Sequence, residues 1–336
     1  MAILITGGTG YIGSHACLEL IRAGREIVAI DNLSNSHRAS LERVEKMVGQ
    51  KIPFHQVDIR DRAGLEGVFR STPIESVIHF AGLKAVGESV GQPLRYYDNN
   101  INGTLVLLET MRQFGVRTMV FSSSATVYGD PKTVPVREEF PLSATNPYGR
   151  SKLFIEDMLR DLARAEPNWD IAVLRYFNPT GADVSGLIGE DPNGIPNNLV
   201  PYIAQVAVGT LDQVSVYGGD YPTRDGTGVR DYIHVTDLVA GHLKALDKLA
   251  GHPGLVTYNL GTGRGYTVLE MLAAFGRAVG RPIRHRIEPR RPGDAAESWA
   301  DPTRAKTELG WVAERDLDVM CADVWRWQKK NPGGFA

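Results

Sequence analysis

Two residues, Tyr148 and Lys152, have types and a spacing that suit proton transfer. They are four positions apart and follow Pro147. Proline favours the first turn of a helix, and residues four apart share one helical face. A free phenol has a pKa of about 10, and lowering it to about 7 needs about 4 kcal/mol of preferential phenolate stabilisation. The lysine charge and the helix N-terminus both act in that direction, so the pair predicts a tyrosine base.

Ser124 is a candidate third member of this set. It ends a run of three serines that follows the apolar residues Val120 and Phe121. A hydroxyl at the carboxyl end of such a strand could relay a proton between a substrate and Tyr148. Serine runs also occur in ordinary strand-end turns, and Tyr-x-x-x-Lys also occurs on surface helices. These patterns therefore indicate a catalytic site only in a fold that brings the three residues together.

The loop 6–13 supplies a second chemical signal, a glycine fingerprint. Gly8, Gly10 and Gly13 follow one dinucleotide-binding spacing, and Gly7, Gly10 and Gly13 follow another. The apolar run 2–5 precedes the loop, and apolar residues at helical spacing follow it. A strand, a tight turn and a helix in this order predict a pyrophosphate site at the helix N-terminus. The alternative is a glycine-rich turn without a ligand.

Asp31 argues against that alternative, because it ends a second predicted strand, 26–31. A carboxylate there can hold the diol of an adenosine ribose and repels a 2′-phosphate, which favours NAD over NADP. A cationic nicotinamide would in turn support a Tyr148 phenolate.

Alternating strand and helix patterns must position these residues. The pattern predicts strands at 2–6, 26–31, 53–57, 75–81, 116–122 and 171–177, and helices near 11–23, 61–70, 93–114 and 147–165. Such alternation indicates an α/β, doubly wound parallel sheet of the Rossmann type. Ligands of these sheets lie beyond the carboxyl ends of the strands, which here carry Asp31, Asp58 and residues 80–84, 122–124 and 176–178.

The second half of the chain has a different texture. Residues 179–200 are rich in Gly, Pro, Asn and Asp and indicate a long functional loop. Shorter elements follow, with helices predicted at 199–208, 237–250, 267–279 and 317–329 and strands at 214–217, 230–235 and 256–260. We therefore predict a dinucleotide-binding domain at 1–178 that also receives 236–262. We expect residues 179–336 to bind mainly substrate.

Bulk properties exclude several classes of protein. The chain has 336 residues, of which 43% are hydrophobic and 23% charged, and a net charge of −2. Without a basic block we expect no nucleic-acid partner, and without a long apolar run no membrane partner. Cys17 and Cys321 show no metal-ligand spacing, so we expect no metal site. Without a leader peptide, a reduced, cytoplasmic location is expected.

The loop 6–13, Asp31-Asn32, the serine run and Tyr148-x-x-x-Lys152 resemble the extended short-chain dehydrogenase/reductase superfamily. Longer blocks resemble its UDP-glucose 4-epimerase family from residue 1 to about 330. They are FAGLKAVGES at 80–89, YYDNN at 96–100, SSSATVYG at 122–129, IPNN at 195–198 and DGTGVRDYIH at 225–234.

The resemblance implies an isomerase that interconverts UDP-glucose and UDP-galactose through a transient 4-keto sugar, with NAD tightly bound. Tyr148 would take the proton of the sugar 4-hydroxyl while C4 gives its hydride to NAD. The cofactor contacts it implies are Gly7, Gly10, Tyr11, Ile12, Gly13, Asp31, Asn32, Asn35, Ser36, Asp58, Ile59, Phe80, Ala81, Gly82, Lys84, Asn99, Ser124, Tyr148, Lys152 and Phe177. The substrate contacts it implies are Lys84, Ser124, Tyr148, Asn178, Asn198, Leu199, Ser215, Val216, Tyr217, Arg230, Arg291, Asp294 and Ser298.

Ser298 stands where members of this family restricted to UDP-glucose and UDP-galactose can carry tyrosine. A small residue there leaves room for a 2-acetamido group, which predicts activity on UDP-GlcNAc and UDP-GalNAc as well. The alternative is that Ser298 is a surface loop residue whose neighbours close the gap.

Two other functions compete with the epimerase. A nucleotide-sugar 4,6-dehydratase of the same superfamily needs Asp and Glu directly after Ser124, where this chain has Ala125 and Thr126. A catalytically inactive NAD-binding protein would not need Ser124, Tyr148 and Lys152 together. The resemblance also implies a homodimer, paired through the helices at 93–114 and 147–165.

Overall fold

A computed structural model describes residues 1–192, 194–291 and 294–335. Its strands are β1 (Ala2–Thr6), β2 (Ile27–Asp31), β3 (Phe54–Gln56), β4 (Ile74–His79), β5 (Thr118–Ser124), β6 (Asp170–Tyr176), β7 (Asn178–Thr180), β8 (Val214–Tyr217), β9 (Val229–His234), β10 (Leu255–Leu260), β11 (Gly265–Thr267), β12 (His285–Glu288) and β13 (Glu297–Ser298).

The α-helices are α1 (Tyr11–Arg22), α2 (Ala39–Val48), α3 (Arg62–Ser71), α4 (Val86–Gly91), α5 (Pro93–Tyr96), α6 (Gly103–Gln113), α7 (Pro147–Ala165), α8 (Leu199–Val208), α9 (Val235–Leu249), α10 (Val268–Val279), α11 (Thr303–Leu309) and α12 (Leu317–Lys330). A π-helix covers Tyr97–Asn102, and a 3₁₀ helix covers Ala125–Tyr128.

The chain forms two compact units. The first unit comprises residues 1–129, 142–175 and 239–258, and the second comprises 130–141, 176–238 and 259–336. Each unit has its own cluster of buried apolar side chains. The assignment of cofactor binding and substrate binding to separate parts of the chain stays a prediction.

A seven-stranded sheet organises the first unit, in the order β10-β6-β5-β4-β1-β2-β3. The pairs β1–β2, β1–β4, β2–β3 and β4–β5 are all parallel. Strands buried on both faces need continuous apolar runs, and β1 is buried throughout. The predicted α/β fold is confirmed, and β10 lies at one edge of this sheet beside β6.

Local signals fix the helix that carries Tyr148 and Lys152. Pro147 is the first residue of α7, and the Asn146 side chain accepts a hydrogen bond from the N–H of Gly149 at 2.9 Å. A proline at the first position and an asparagine N-cap together set where the helix begins. The helix predicted over 147–165 is confirmed.

The single helix predicted over 93–114 is wrong in its middle. The structure divides this stretch into α5, the π-helix and α6. A π-helix accommodates an extra residue in its turn, and apolar periodicity does not reveal it. Asn100 lies within the π-helix and is almost fully buried, with its side chain bonded outside its own helix.

Short strands characterise the second unit. β11, β9 and β13 form a sheet to which β7 adds by pairing with β9, and β8 pairs separately with β12. The helices predicted near 199–208, 267–279 and 317–329 are confirmed as α8, α10 and α12. The strands β7, β11, β12 and β13 were not predicted, because two to four residues are too few to show a period.

Within the described ranges, no helix has the length and apolar character needed to cross a lipid bilayer. Across the same residues, no group of three or more His, Cys, Asp or Glu side chains is arranged to hold a metal ion. Cys17 and Cys321 are buried thiols in α1 and α12.

Candidate active site

The glycine loop between β1 and α1 is packed too tightly for side chains. Gly7 has a φ of +70°, and a Cβ added there would lie 2.8 Å from the Ala81 nitrogen. A Cβ on Gly13 would lie 2.0 Å from the Gly7 oxygen. Gly10 is the N-cap of α1. Because glycine has no side chain, no N-cap side chain accepts a hydrogen bond from the N–H groups of the first turn. This loop has the backbone form that binds a diphosphate.

Asp31 ends β2 beside this loop and is buried. Its carboxylate accepts hydrogen bonds from the Leu33 nitrogen and the Ser36 hydroxyl, both at 2.9 Å, and from the Thr9 nitrogen at 3.2 Å. An ionised carboxylate has about four acceptor positions, so it can still accept from a ribose hydroxyl. The three donors fix the orientation in which it would do so.

Asp58 follows β3 and contacts a second predicted cofactor residue. It accepts from the Asn32 side chain at 2.8 Å, and hydrogen bonds from Arg60 hold the pKa of this carboxyl well below its usual range. Several other predicted cofactor residues also belong to the first unit: Tyr11 and Ile12 begin α1, Asn35 follows β2, Ile59 precedes α3, residues 80–84 follow β4, and Asn99 lies in the π-helix.

Tyr148 and Ser124 meet at the carboxyl end of β5. The tyrosine hydroxyl is hydrogen-bonded to the Ser124 side chain, which also accepts from the Thr126 hydroxyl at 2.9 Å. Burial raises the pKa of the Tyr148 phenol, while the bond with Ser124 and the positive charge of Lys84 lower it. Lys84, which the family resemblance assigns to cofactor and substrate binding, is thus one positive side chain that acts on the Tyr148 phenol in this structure.

Lys152 lies one turn further along α7 and is nearly fully buried. Its Nζ donates to the Ser122 carbonyl at 2.7 Å and lies 4.9 Å from the centre of the Phe121 ring. Burial lowers the pKa of Lys152 to about 8, and the negative charge of Glu156 opposes this shift. The amine is thus anchored to the serine run that carries Ser124.

Three buried polar residues near this set were missed in the sequence. The Asn100 side chain bonds both the nitrogen and the oxygen of Leu83, at 2.8 and 3.0 Å, and donates to Ser151 at 3.0 Å. Glu156 and Arg175 form an ion pair inside the first unit. The available signals were a glutamate on the same helical face as Tyr148 and Lys152 and an arginine inside an otherwise apolar strand.

In the second unit, β9 gathers three predicted substrate residues. Asn178 in β7 lies opposite Tyr232 in β9, and Ser298 in β13 lies opposite Arg230 in β9. The Arg230 guanidinium donates to the Val229 carbonyl at 2.9 Å and lies 3.9 Å from the Asp294 carboxylate. These side chains are only partly buried or exposed, and Ser298 is a half-buried strand residue.

The remaining substrate candidates also lie in the second unit. The Arg291 guanidinium lies 3.8 Å from the centre of the Tyr217 ring. Ser215 and Val216 precede Tyr217 in β8. Asn198 is the N-cap of α8 and donates to Glu190 at 3.1 Å, and Leu199 begins that helix. Phe177, predicted to contact the cofactor, belongs to this unit between β6 and β7.

A parallel sheet that gathers a serine, a tyrosine and a lysine at the end of its fifth strand defines the extended short-chain dehydrogenase/reductase class. The family model described as GDP-mannose 4,6 dehydratase matches residues 4–324. The chain is 60% identical to UDP-glucose 4-epimerase of Bacillus subtilis over 100% of this chain and 99% of the relative. It belongs to the UDP-glucose 4-epimerase family, which is a family of isomerases.

Two solved structures support this membership. The first is UDP-glucose 4-epimerase from Bifidobacterium longum in complex with NAD⁺ and UDP, 54% identical with a TM-score of 0.95, over 99% of this chain and 100% of that one. The second is UDP-glucose 4-epimerase from Stenotrophomonas maltophila with bound NAD and formylated UDP-arabinopyranose. It is 51% identical with a TM-score of 0.97, over 99% of both chains.

Proposed function

We propose that this chain inverts C4 of UDP-hexoses, interconverting UDP-glucose and UDP-galactose with tightly bound NAD. The observation that carries the proposal is the hydrogen bond between Tyr148 and Ser124, with Lys84 acting on the same phenol. Oxidation of the C4 alcohol needs an acceptor for the hydroxyl proton while C4 loses its hydride. A tyrosine held by a serine beside a lysine is suited to that task.

The glycine loop fits NAD because a side chain at Gly7 or Gly13 would collide with neighbouring backbone atoms. Only glycine at these positions allows the tight turn that a diphosphate site needs. The first turn of α1 would hold the diphosphate, and Asp31 would hold the adenosine ribose. When bound, NAD would supply the hydride acceptor and donor that an inversion at C4 requires, and its cationic ring would add positive charge to the site. The relatives crystallised with NAD support this assignment.

The side chains of the first unit would then divide the work of proton transfer. Burial leaves the Tyr148 phenol protonated at neutral pH, so added positive charge is needed before it can accept the proton of the sugar 4-hydroxyl. Ser124 would orient that hydroxyl and relay its proton. Lys152 would keep a positive charge near the base while its own amine stays fixed on the Ser122 carbonyl.

The second unit would bind the UDP group. A diphosphate is recognised well by guanidinium groups, which form paired hydrogen bonds to its oxygens, and Arg230 and Arg291 offer two of them. Tyr217 offers a ring face on which uracil can stack. Asn198 and Leu199, at the start of α8, would meet the edge of the base.

The competing 4,6-dehydratase reaction is disfavoured although the family model bears that description. Elimination of water needs an acid and a base beside the sugar. Ala125 and Thr126 begin the 3₁₀ helix after Ser124, and neither side chain titrates in the useful range. The Thr126 hydroxyl is bonded to Ser124.

The test is to incubate the purified protein with UDP-galactose and no added NAD and to separate the products. UDP-glucose is the expected product. A stable 4-keto-6-deoxy sugar would support the dehydratase, and unchanged UDP-galactose would support an inactive NAD-binding protein. A requirement for stoichiometric free NAD would point to a dehydrogenase.

The proposal extends to N-acetylated sugars through Ser298. Its position in β13 opposite Arg230 puts a small residue beside a guanidinium proposed to bind the diphosphate. A serine there leaves room for the acetamido group of UDP-GlcNAc and UDP-GalNAc, whereas a tyrosine ring would fill it.

Replacing Ser298→Tyr should abolish activity on UDP-GalNAc and leave activity on UDP-galactose within about threefold, since only the larger group is excluded. The matched control is Ser298→Ala, which keeps the space and should retain both activities. A wild type that ignores UDP-GalNAc, or a tyrosine variant that loses both activities equally, would contradict this extension.

We also propose that the chain is a homodimer paired through the helices at 93–114 and 147–165. Leu94 in α5 is 79% exposed, and Leu105 in α6 and Phe154 in α7 are also exposed. Exposed large apolar side chains on all three of these helices favour a contact surface there. Light scattering should show a dimer that becomes a monomer in the Leu94→Asp variant but not in Val312→Asp, a matched exposed position in the second unit.

A further inference from the structure

The first unit contains a buried ion pair that the proposed reaction does not use. Glu156 in α7 is 0% exposed and Arg175 in β6 is 2% exposed. The Arg175 guanidinium donates to the two carboxylate oxygens of Glu156 at 2.9 and 2.6 Å. Its remaining nitrogen donates to the Tyr128 hydroxyl at 2.9 Å. The pair therefore joins α7 to β6 with fixed geometry.

A third residue connects the pair to the serine run. The Ser123 hydroxyl donates to Glu156 at 2.6 Å, and Ser123 precedes Ser124 in β5. Glu156 lies one helical turn beyond Lys152 and two turns beyond Tyr148, on the same face of α7. One carboxylate thus ties the helix that carries the tyrosine and lysine to the strand that carries Ser124.

Fold stability alone gives little reason for such a pair. Removing two charges from water is expensive, and replacing a buried ion pair with apolar residues of similar size is often neutral or stabilising. Here both carboxylate oxygens of Glu156 accept hydrogen bonds from Arg175, and Arg160 adds a further bond at 2.5 Å. A fully satisfied buried network is rigid and defines one arrangement of the elements it joins.

We propose that Glu156, Arg175 and Ser123 are positioning residues that fix α7 against the end of β5, so that Tyr148 and Ser124 keep their reactive distance. The inference rests on the proposed function, since it assigns the network a task in that reaction. A displacement of about 1 Å at reacting groups can reduce a rate by about a hundredfold. Even a partial loosening of the contacts among Glu156, Arg175 and Ser123 should therefore lower kcat measurably.

The first test is Ser123→Ala, which removes the link to the serine run and leaves the ion pair in place. We expect kcat with UDP-galactose to fall about tenfold, a fraction of the effect of a full displacement, with KM within about twofold. The matched control is Ser89→Ala, another buried serine that donates one hydrogen bond of 2.6 Å, to the Val86 carbonyl of its own helix. Both variants should lose similar thermal stability, and only the first should lose kcat.

The second test separates positioning from stability directly. In the double variant Glu156→Met and Arg175→Met, apolar side chains of comparable length replace the pair. We expect a melting temperature at or above that of Ser123→Ala, since both variants lose the Ser123 bond and apolar replacement of the ion pair is often neutral or stabilising, and a kcat at least tenfold below that of wild type. If the double variant does not fold, Ser123→Ala decides the question alone.

The outcomes distinguish the two levels of the proposal. Absence of wild-type turnover on UDP-galactose would overturn the proposed function. Wild-type turnover with unchanged kcat in Ser123→Ala, or in a folded double variant, would overturn the positioning role and leave the proposed function standing. A fall in melting temperature without a fall in kcat would assign the network to folding alone.

Discussion

The proposed reacting groups of the first unit and the proposed binding groups of the second are built differently. Ser124 and Lys152 are buried, and each is hydrogen-bonded to its neighbours within the first unit. Arg230, Arg291 and Tyr217 are partly or largely exposed. The Arg230 guanidinium donates to the Val229 carbonyl at 2.9 Å and lies 3.9 Å from the Asp294 carboxylate, and Arg291 lies against the Tyr217 ring. One set is fixed before any ligand arrives, whereas the other retains freedom to adjust.

The difference fits what each set is proposed to do. Proton transfer depends steeply on distance, so its groups need a rigid and desolvated setting. Recognition of a flexible diphosphate depends on charge and on several hydrogen bonds, which exposed side chains can form once the ligand is present. Partly exposed ion pairs such as that of Arg230 with Asp294 contribute about 0–1 kcal/mol to stability. Breaking such a pair when a ligand binds therefore costs little free energy.

The sharpest test of the contrast is Tyr148→Phe in the first unit. Removing the hydroxyl should lower kcat by about a thousandfold while binding of NAD and UDP changes little, because the ring and its packing remain. Turnover and titration calorimetry with UDP measure the two quantities. Normal turnover with binding intact would exclude Tyr148 as the base.

The second test, Arg230→Ala, addresses the second unit and should give the opposite pattern. Loss of one charged hydrogen-bond donor should raise KM for UDP-galactose roughly 10- to 100-fold and leave kcat within about threefold. Arg224→Ala is the matched control, since Arg224 is a half-exposed arginine of the same unit that pairs with Glu270. A fall in kcat at constant KM in the Arg230 variant would contradict the assignment of binding to the second unit and catalysis to the first.

The smallest expected effect is a pH dependence that originates in the first unit. The pKa of Lys152 is lowered by burial to about 8, so the amine loses its charge as the pH rises through that value. We expect kcat to decline by up to about tenfold per pH unit above pH 8, because the phenolate loses a supporting charge. The Lys152→Arg variant should lack this decline, since arginine stays charged; an identical decline in that variant would contradict the assignment.

The lowered pKa of Lys152 also makes the stability of the fold depend on pH. Because the folded pKa of Lys152 lies below its unfolded value of about 10.4, burial of the charged amine destabilises the fold fully below pH 8. That penalty is relieved between about pH 8 and 10.4, where the unfolded chain binds more protons than the folded one. Activity and the contribution of this lysine to stability should therefore change in opposite directions with pH.

Much of the first unit could be predicted from the sequence because its signals are local. A few neighbouring residues are enough to predict each of three features: the apolar run of β1, the glycine loop, and the start of α7 at Pro147. The placement of Tyr148 and Lys152 one turn apart on the same helix follows from the helical repeat alone. The meeting of Tyr148 with Ser124 follows because strand ends in a parallel sheet share one edge.

The remaining features depend on contacts between distant residues. Glu156 meets Arg175 only after β6 is in place beside β5, and no spacing in the sequence indicates that contact. The influence of Lys84 on the Tyr148 phenol likewise requires the loop after β4 to pass close to α7. In the second unit, β13 consists of two residues and exists only because β9 offers a partner.

The π-helix at Tyr97–Asn102 has a consequence for how this chain can change over evolution. A π-turn corresponds to one residue inserted into an α-helix. Deleting one residue there would restore a regular α-turn and change the directions of the remaining side chains in the segment, while the helices on either side keep their phase. Asn100 could then no longer bond Leu83 and Ser151 together. We infer that a single-residue deletion in this segment removes the Asn100 hydrogen bonds even where each individual side chain tolerates substitution.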